Sequence, residues 1–443
     1  MVTVAPLQEG LGPLAVAYLE RQAWFHRAIA DRPAAPLGVA AYDVLRPSDP
    51  GLGRLVLQRG AQRFQLLVGW RDPSRVAGVL QGRDAALLGA VRDEPGGRHV
   101  LAYDALADDE LIVVLLEIVT GGAETARRAR RVSTLVSHAS LVFDERLFMK
   151  CYRVLEQGER PEAELMFRLD AVGFNAMLAP VARWRGHGAD LAVVREFLPS
   201  ALEGRLLALT SLRDVLAHAT ADERTSERAE AELDPDAETA TAGGDLSSEM
   251  RRLGQMTAGF HLALAQAFAE EPATGAALAG LVAARGSGGR LDELQRAVAG
   301  IEAGAGGQLI RVHGDYHLRR VLRAETGWLV AGFSDDPLYS SSHPDPSLAP
   351  RVGSPVEDLA DMCFSLHRVA LEGLAQRPPD DAGLAAALAT AWERRNQRAF
   401  LAGYLGAERA DRLVPADRAA VEALLEAFLL VREQRYEATP SGE

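Results

Sequence analysis

A histidine–glycine–aspartate loop set between two short apolar runs puts the tightest limit on this fold. Leu309 to Val312 reads as a strand, His313-Gly314-Asp315-Tyr316-His317 follows directly, and Trp328 to Phe333 reads as the next strand. An aspartate at a strand end with a histidine on either side suits a group that positions or deprotonates a hydroxyl. The competing reading keeps the loop for packing alone, with His313 bonded to backbone.

The second constraint is a lone residue. The 443 residues include 48 Lys plus Arg, and Lys150 is the only lysine. A compact ammonium and a planar guanidinium are not interchangeable at a tight site, so a single retained lysine points to one. Leu135 to Phe143 and Leu147 to Val154 read as a hairpin turning at Asp144-Glu145, with Lys150 in its second strand. A helix is expected from Pro161 to Val172, with Pro161 at its first position and Glu164 on it. A strand lysine oriented by a helix glutamate is how kinases hold the α- and β-phosphates of ATP. The competing reading makes Glu164 an ordinary exposed helix residue. Ala189 to Leu198 reads as a buried strand, and Arg195, Glu196, Phe197 and Leu198 lead into Pro199 as an extended stretch of the kind that binds an adenine edge.

The remainder sorts into three regions, 1–120, 121–199 and 200–443. In the first, Leu14 to Ala30 has helical spacing, Arg54 to Gln58 and Phe64 to Gly69 form a hairpin around Arg59-Gly60-Ala61, and Glu110 to Val119 reads as a strand. The third is mainly helical, with helices expected over Ser247–Ala269, Val356–Gln376, Leu384–Gly403 and Ala416–Ala438. Thr220 to Asp245, acidic and rich in alanine, reads as a mobile loop or linker.

Composition removes several functions. A formal net charge of -13 disfavours nucleic acid and anionic membrane as partners. The run Arg127, Arg128, Arg130 and Arg131 is expected on a solvated helix face or linker. Cys151 and Cys363 have no partners at metal spacing, which argues against a zinc site or disulfide and fits a reducing cytoplasm. Leu111 to Val119 contains Glu117 and falls short of the roughly 20 residues of a membrane span. Met1 to Gly12 has neither the basic region nor the apolar stretch of a signal peptide. A cytoplasmic location is expected.

At this point the chain resembles the maltokinases and glucosamine kinases of actinobacteria. The segment RVHGDYHLRRVLR, Arg311 to Arg323, is similar to the family's HGDYHLGQVLR loop, and TGWLVAGFSDDP, Thr326 to Pro337, to its TGWVVLDFEGEP strand. Ser140 to Leu155 resembles the lysine hairpin and Arg160 to Glu164 the following helix start. Glu196 to Gly204 resembles the hinge, Ser354 to Met362 the SPLRDVAGM helix start, and Trp392 to Tyr404 the WExRNxxxFxxGY helix. Arg21 to Phe25 and Gln65 to Trp70 are similar to the N-terminal cap. The resemblance implies an α+β, protein-kinase-like bilobal fold of the aminoglycoside phosphotransferase type with an N-terminal cap. It implies transfer of the ATP γ-phosphate to the hydroxyl of a sugar or aminosugar. Asp315 would be the catalytic group, Lys150 and Glu164 would bind nucleotide, and His313, His317 and Asp358 would support the catalytic loop.

Two departures fall on the chemistry. The family's glutamine is Arg320 here, with Arg319 before it, and the aspartate preceding Phe333 is Gly332. Those are the positions the resemblance assigns to magnesium, which wants hard oxygen donors, so an ordinary magnesium site is not expected. Three readings stay open. The chain is a pseudokinase that binds nucleotide or sugar, acting with a protein partner in trehalose or glycogen metabolism; or Asp335 or Asp336 replaces the lost ligand; or Arg319 or Arg320 contacts phosphate in place of the metal. On the sugar side Glu426, Glu433 and Tyr436 remain of the family's last helix, while its lysine is Leu429 and its first tyrosine Arg432.

Overall fold

The computed structural model describes residues 4–30, 34–92, 97, 99–134, 138–225, 245–286, 288–302, 304–333, 352–377 and 382–438. The chain divides into two compact units, Met1–Glu164 with Ala179–Pro199 and Leu165–Leu178 with Ser200–Glu443.

The first unit opens with helices α1 (Val4–Leu19) and α2 (Ala23–Ile29), where one continuous helical segment was expected. The strands β1 (Leu37–Arg46), β2 (Gly51–Arg59), β3 (Gln62–Arg71), β4 (Leu87–Arg92) and β5 (His99–Asp104) form an antiparallel sheet in the order β1-β2-β3-β5-β4. The β2–β3 hairpin turns at Gly60 and Ala61, and Gly60 has φ of 60°, which a side chain would disfavour. One core joins Trp24 and Phe25 of α2 to Phe64 and Leu66 of β3. The expected strand at Glu110 to Val119 is a helix, α4 (Asp109–Val119), following the short α3 (Pro73–Val79). Asp108 caps α4 by accepting from the amides of Glu110 and Leu111. Leu111, Ile112, Leu115, Leu116 and Val119 are buried, a helical stripe that an unbroken apolar run conceals.

A second sheet carries the lysine. Its strands are β6 (Ala129–Thr134), β7 (His138–Phe143), β8 (Leu147–Tyr152), β10 (Pro180–Gly186) and β11 (Ala189–Glu196), in the order β10-β11-β8-β7-β6; the two-residue β9 (Val154–Leu155) pairs with β3. The β7–β8 turn places Asp144 and Glu145 at φ of 47° and 52°, as a two-residue turn with both central residues left-handed requires. Asp144 then accepts from the amides of Arg127 and Arg128. Of the two expected settings, a helix face or a linker, Arg127 and Arg128 take the linker, just before β6. Arg130 and Arg131 lie in β6, whose charges protect a sheet edge.

The second unit is mainly helical: α6 (Gly204–Thr225), α7 (Ser247–Phe268), α8 (Gly275–Ala283), α9 (Arg290–Ala299), α10 (Pro355–Ala375), α11 (Ala382–Leu405) and α12 (Arg418–Ala438). Between them lie β12 (Leu202–Glu203), β13 (Glu270–Pro272), β14 (Gln308–Arg311), β15 (Val321–Ala324), β16 (Gly327–Val330) and β17 (Val352–Gly353). The expected linker at Thr220 to Asp245 begins as helix, since α6 runs to Thr225, and ends at Asp245, which pairs with Arg395 at 2.8 Å; residues 226–244 lie outside the described residues. Among the described residues no helix is long and apolar enough to cross a membrane.

Candidate functional site

In the first unit the site is built on β8, the central strand of its sheet, and on the first turn of α5 (Pro161–Ala171). Lys150 is buried, and its Nζ donates to Glu162 at 2.6 Å. This corrects the expected partner, Glu164. Residues two apart on a helix point to different sides, so one lysine cannot reach both. Glu162 shares its face with Leu165, Met166 and Leu169, all buried, whereas Glu164 is half-buried. The neighbouring His138 on β7 is pushed down to about 2 by burial and by the Lys150 charge.

The expected adenine-binding stretch is partly committed. The Glu196 amide donates to Ala179 at 2.9 Å and the Phe197 amide to Arg146 at 2.8 Å. Arg195 stacks on Phe148 at 4.4 Å. With the Glu196 and Phe197 amides already donating, any base edge would be read by Leu198 and by carbonyls.

In the second unit the loop after β14 is fixed from below by Asp358, in the first turn of α10. Ser354 and Glu357 form a capping box at that helix start, with Pro355 at its first position. Asp358 accepts from the amides of His313 at 2.8 Å and Gly314 at 2.9 Å, and faces His261 Nε2 at 3.2 Å. Burial alone would raise its carboxyl, but the His261 contact and the loop amide hold it below the usual carboxylate range. Gly314 has φ of 82°, a conformation that favours glycine and turns the loop toward these amide bonds.

His313 is pushed down to about 4, chiefly by burial, and is therefore neutral near pH 7. Its Nδ1 accepts from the Asp315 amide at 3.3 Å, so Nε2 carries the hydrogen and donates to Gly332 O at 2.7 Å. It is a backbone brace for the loop.

Asp315 lies between two cations. Its Oδ2 accepts from Nε of Arg320 at 3.2 Å and from Nη2 of the same guanidinium at closer range. His317 Nε2 faces Oδ1 at 3.4 Å. Burial opposes ionisation, yet His317 and Arg320 hold the carboxyl well below its ordinary value. Arg320 is buried and Arg319 exposed. A Cβ added at Gly332 would lie 3.3 Å from Arg320 Nη1 and 3.4 Å from its Cδ. Asp335 and Asp336 lie outside the described residues.

The expected sugar-side residues are not gathered at Asp315. Glu426 pairs outward with Arg290 at 2.9 Å, Glu433 is exposed, and Tyr436 is 47% exposed and packs on Phe364. The residue that sequence reasoning passed over is Asp361, one turn beyond Asp358 on α10. It holds Arg432 through Oδ2 at 2.8 Å, and the charge of Asp315 is felt at both. The signal was present: Arg432 stands where the first tyrosine would in the resemblance, and a half-buried arginine is best met by a carboxylate.

Comparison with known proteins shows what this chain is similar to. Residues 18–108 match the maltokinase N-terminal cap domain. A glucosamine kinase from Streptacidiphilus jiangxiensis is 28% identical over 416 residues, 82% of this chain and 85% of that protein. The chain is similar to a maltokinase over its N-terminal cap and to a glucosamine kinase over most of its length. Its kinase-like α+β fold with an N-terminal cap is that of a solved glucosamine kinase in complex with glucosamine, ADP and inorganic phosphate. That structure superposes with a TM-score of 0.60 at 21% identity over 95% of this chain and 93% of its own. A second crystal form of a glucosamine kinase gives 0.59 at 22% identity, covering 95% and 91%.

Among the described residues, the donors around Asp315 do not match those of a divalent ion. Magnesium needs several oxygen donors around one point. Among the described residues no group of three or more His, Cys, Asp or Glu could hold a metal. Gly332 offers no side chain, and a guanidinium already sits on Asp315.

Proposed function

We propose that this chain is a sugar kinase in its binding chemistry: it takes ATP as phosphoryl donor and the hydroxyl of a sugar or aminosugar as acceptor. The observation that carries the reading is the buried Lys150–Glu162 pair at 2.6 Å on a central strand. Burying a lysine and a glutamate costs more than a well-packed apolar pair of the same volume. Such a pair is kept where the ammonium has work to do, and holding the α- and β-phosphates is that work in kinases.

In this reading Asp315 positions the acceptor hydroxyl through Oδ1, the oxygen that Arg320 does not bond and that His317 Nε2 faces at 3.4 Å. A carboxyl held this far down is a weak base. It suits phosphoryl transfer, where bond breaking to the leaving group runs ahead of attack and the hydroxyl proton leaves late. The proton then passes to Asp315 as the acceptor oxygen bonds to phosphorus and ADP departs. His313, His317 and Asp358 keep the carboxylate in place.

The competing reading, a protein that binds nucleotide without transferring phosphate, is favoured by one observation: Arg320 engages the same carboxylate that must meet the acceptor. Calorimetric titration of ATP, then a glucosamine phosphorylation assay with Asp315→Ala as control, tests both. ATP binding that Lys150→Ala abolishes, with Asp315-dependent product, supports the kinase. ATP binding without product supports the binding protein. A folded chain that binds no ATP rules out both readings.

A further inference from the structure

We propose that the Arg320 guanidinium is a built-in replacement for a divalent cation at Asp315, so that this chain takes a polyphosphate ligand without a metal ion. The phosphate half of the proposal rests on the nucleotide reading above; the cation half stands on the loop alone.

The position of the charge is fixed by backbone. The Arg320 amide donates to His317 O at 2.7 Å, and Arg320 O accepts from the Ala331 amide at 2.8 Å. The residue is 4% exposed, so its guanidinium is held within the loop and does not sweep through solvent. It shares Asp315 Oδ2 with no other described donor, and a metal ion at that oxygen would have to expel it.

Gly332 and Arg320 fit each other sterically. The guanidinium and its stem lie within 3.3 and 3.4 Å of where a Cβ would stand at 332, tighter than most side-chain contacts. The neighbouring carbonyl, Gly332 O, is already bonded to His313. Glycine at 332 therefore removes an oxygen donor and at the same time makes the room that the arginine fills. The two changes act as one exchange, a mobile double charge for a fixed single one.

The chemistry of the replacement suits phosphate. With Nε and Nη2 turned to Asp315, the Nη1 side of the guanidinium is the side that offers donors to phosphate oxygens, and a guanidinium stays charged at any working pH. One positive charge offsets less than a divalent ion does, which predicts weaker stabilisation of transferred phosphate than of bound phosphate.

The test uses the full chain, manganese alone as the metal probe, and the double variant Arg320→Gln with Gly332→Asp. In wild type, titration with Mn²⁺ followed by electron paramagnetic resonance is expected to show no site that Asp315→Asn removes. The double variant, with glutamine and aspartate oxygens beside Asp315, is expected to bind Mn²⁺ at least about tenfold tighter, in the range that supplying missing ligands produces. ATP affinity of wild type is expected to change less than about twofold between excess magnesium and excess chelator. An Asp315-dependent Mn²⁺ site in wild type, or a folded double variant that gains no Mn²⁺, would overturn the proposal. The wild-type titration needs no variant, so the proposal remains open to refutation if the double variant does not fold. Because manganese binding is read without nucleotide, failure here is distinct from failure of the ATP reading.

Discussion

Two ion pairs, one in each unit, invite comparison. Lys150–Glu162 joins a central strand to a helix, both partners are buried, and each holds the other in one orientation. Asp315–Arg320 joins residues five apart within one loop, the aspartate is 19% exposed, and a histidine competes for it. The first pair spans separate elements and depends on the packing of its unit. The second is local and can be rewritten by substitution at two positions. That contrast is what the proposed cation exchange at Asp315 would require: one pair anchored by packing, the other open to local replacement.

The comparison breaks first at Glu162. Glu162→Gln leaves Lys150 charged and buried without its carboxylate, and losing one partner of such a pair costs about 3–5 kcal/mol. Urea unfolding of the variant is expected to show that loss. A change below about 1 kcal/mol would mean the pair is solvated and the contrast with the loop is false.

The next largest effect is a pH dependence, and both units take part in it. His138 is pushed down to about 2 and His313 to about 4 from an ordinary 6.5, each with burial as first cause. As pH falls through 6.5 the unfolded chain protonates both imidazoles. The folded chain leaves His313 neutral until about pH 4 and His138 neutral beyond that. Stability is therefore full above 6.5 and declines below it. His313 alone is worth about 3 kcal/mol by pH 4, at roughly 1.4 kcal/mol per pH unit. Unfolding measured from pH 7.5 to 4.5 is expected to slope accordingly, and His313→Gln to remove one proton's share of the slope whatever its own stability. An unchanged slope would put the titration elsewhere.

Arg320→Gln follows. The lost contact is to a partly exposed carboxylate that keeps His317, so the expected cost is about 1–3 kcal/mol, below that of Glu162→Gln. A larger loss would mean that the loop pair, and not the strand pair, is the anchored one.

How much of this was legible follows the same line between local and distant. The loop, the lysine strand, Pro161 and the Asp144-Glu145 turn were readable because their signals are contiguous: apolar runs, a turn dipeptide, a proline at a helix start. The α4 helix was misread because Leu111 to Leu116 is apolar throughout and hides its period, although Asp108 was a visible cap. The Lys150 partner was misread by spacing along the chain, where the burial stripe of α5 was the right guide. The contact of Arg320 with both Asp315 and the space over Gly332 needed the fold, because no pattern along one chain shows which side chain fills the gap left by another.

The smallest expected effect sharpens that lesson at Glu164. If the lysine partner is chosen by helix face, Glu164→Gln should behave as an ordinary half-buried substitution, costing about 0–1 kcal/mol and leaving ATP affinity within about twofold of wild type. Glu162→Gln in the same titration should lower ATP affinity by at least about tenfold, since an ammonium without its orienting carboxylate loses its fixed geometry at the phosphates. Equal losses in the two variants would mean that α5 rotates when nucleotide binds and brings both carboxylates to Lys150 in turn. A loss confined to Glu164→Gln would return the pairing to the one that sequence spacing suggested. Either outcome would also remove the basis for treating the strand pair as rigid, and with it the contrast between the two ion pairs.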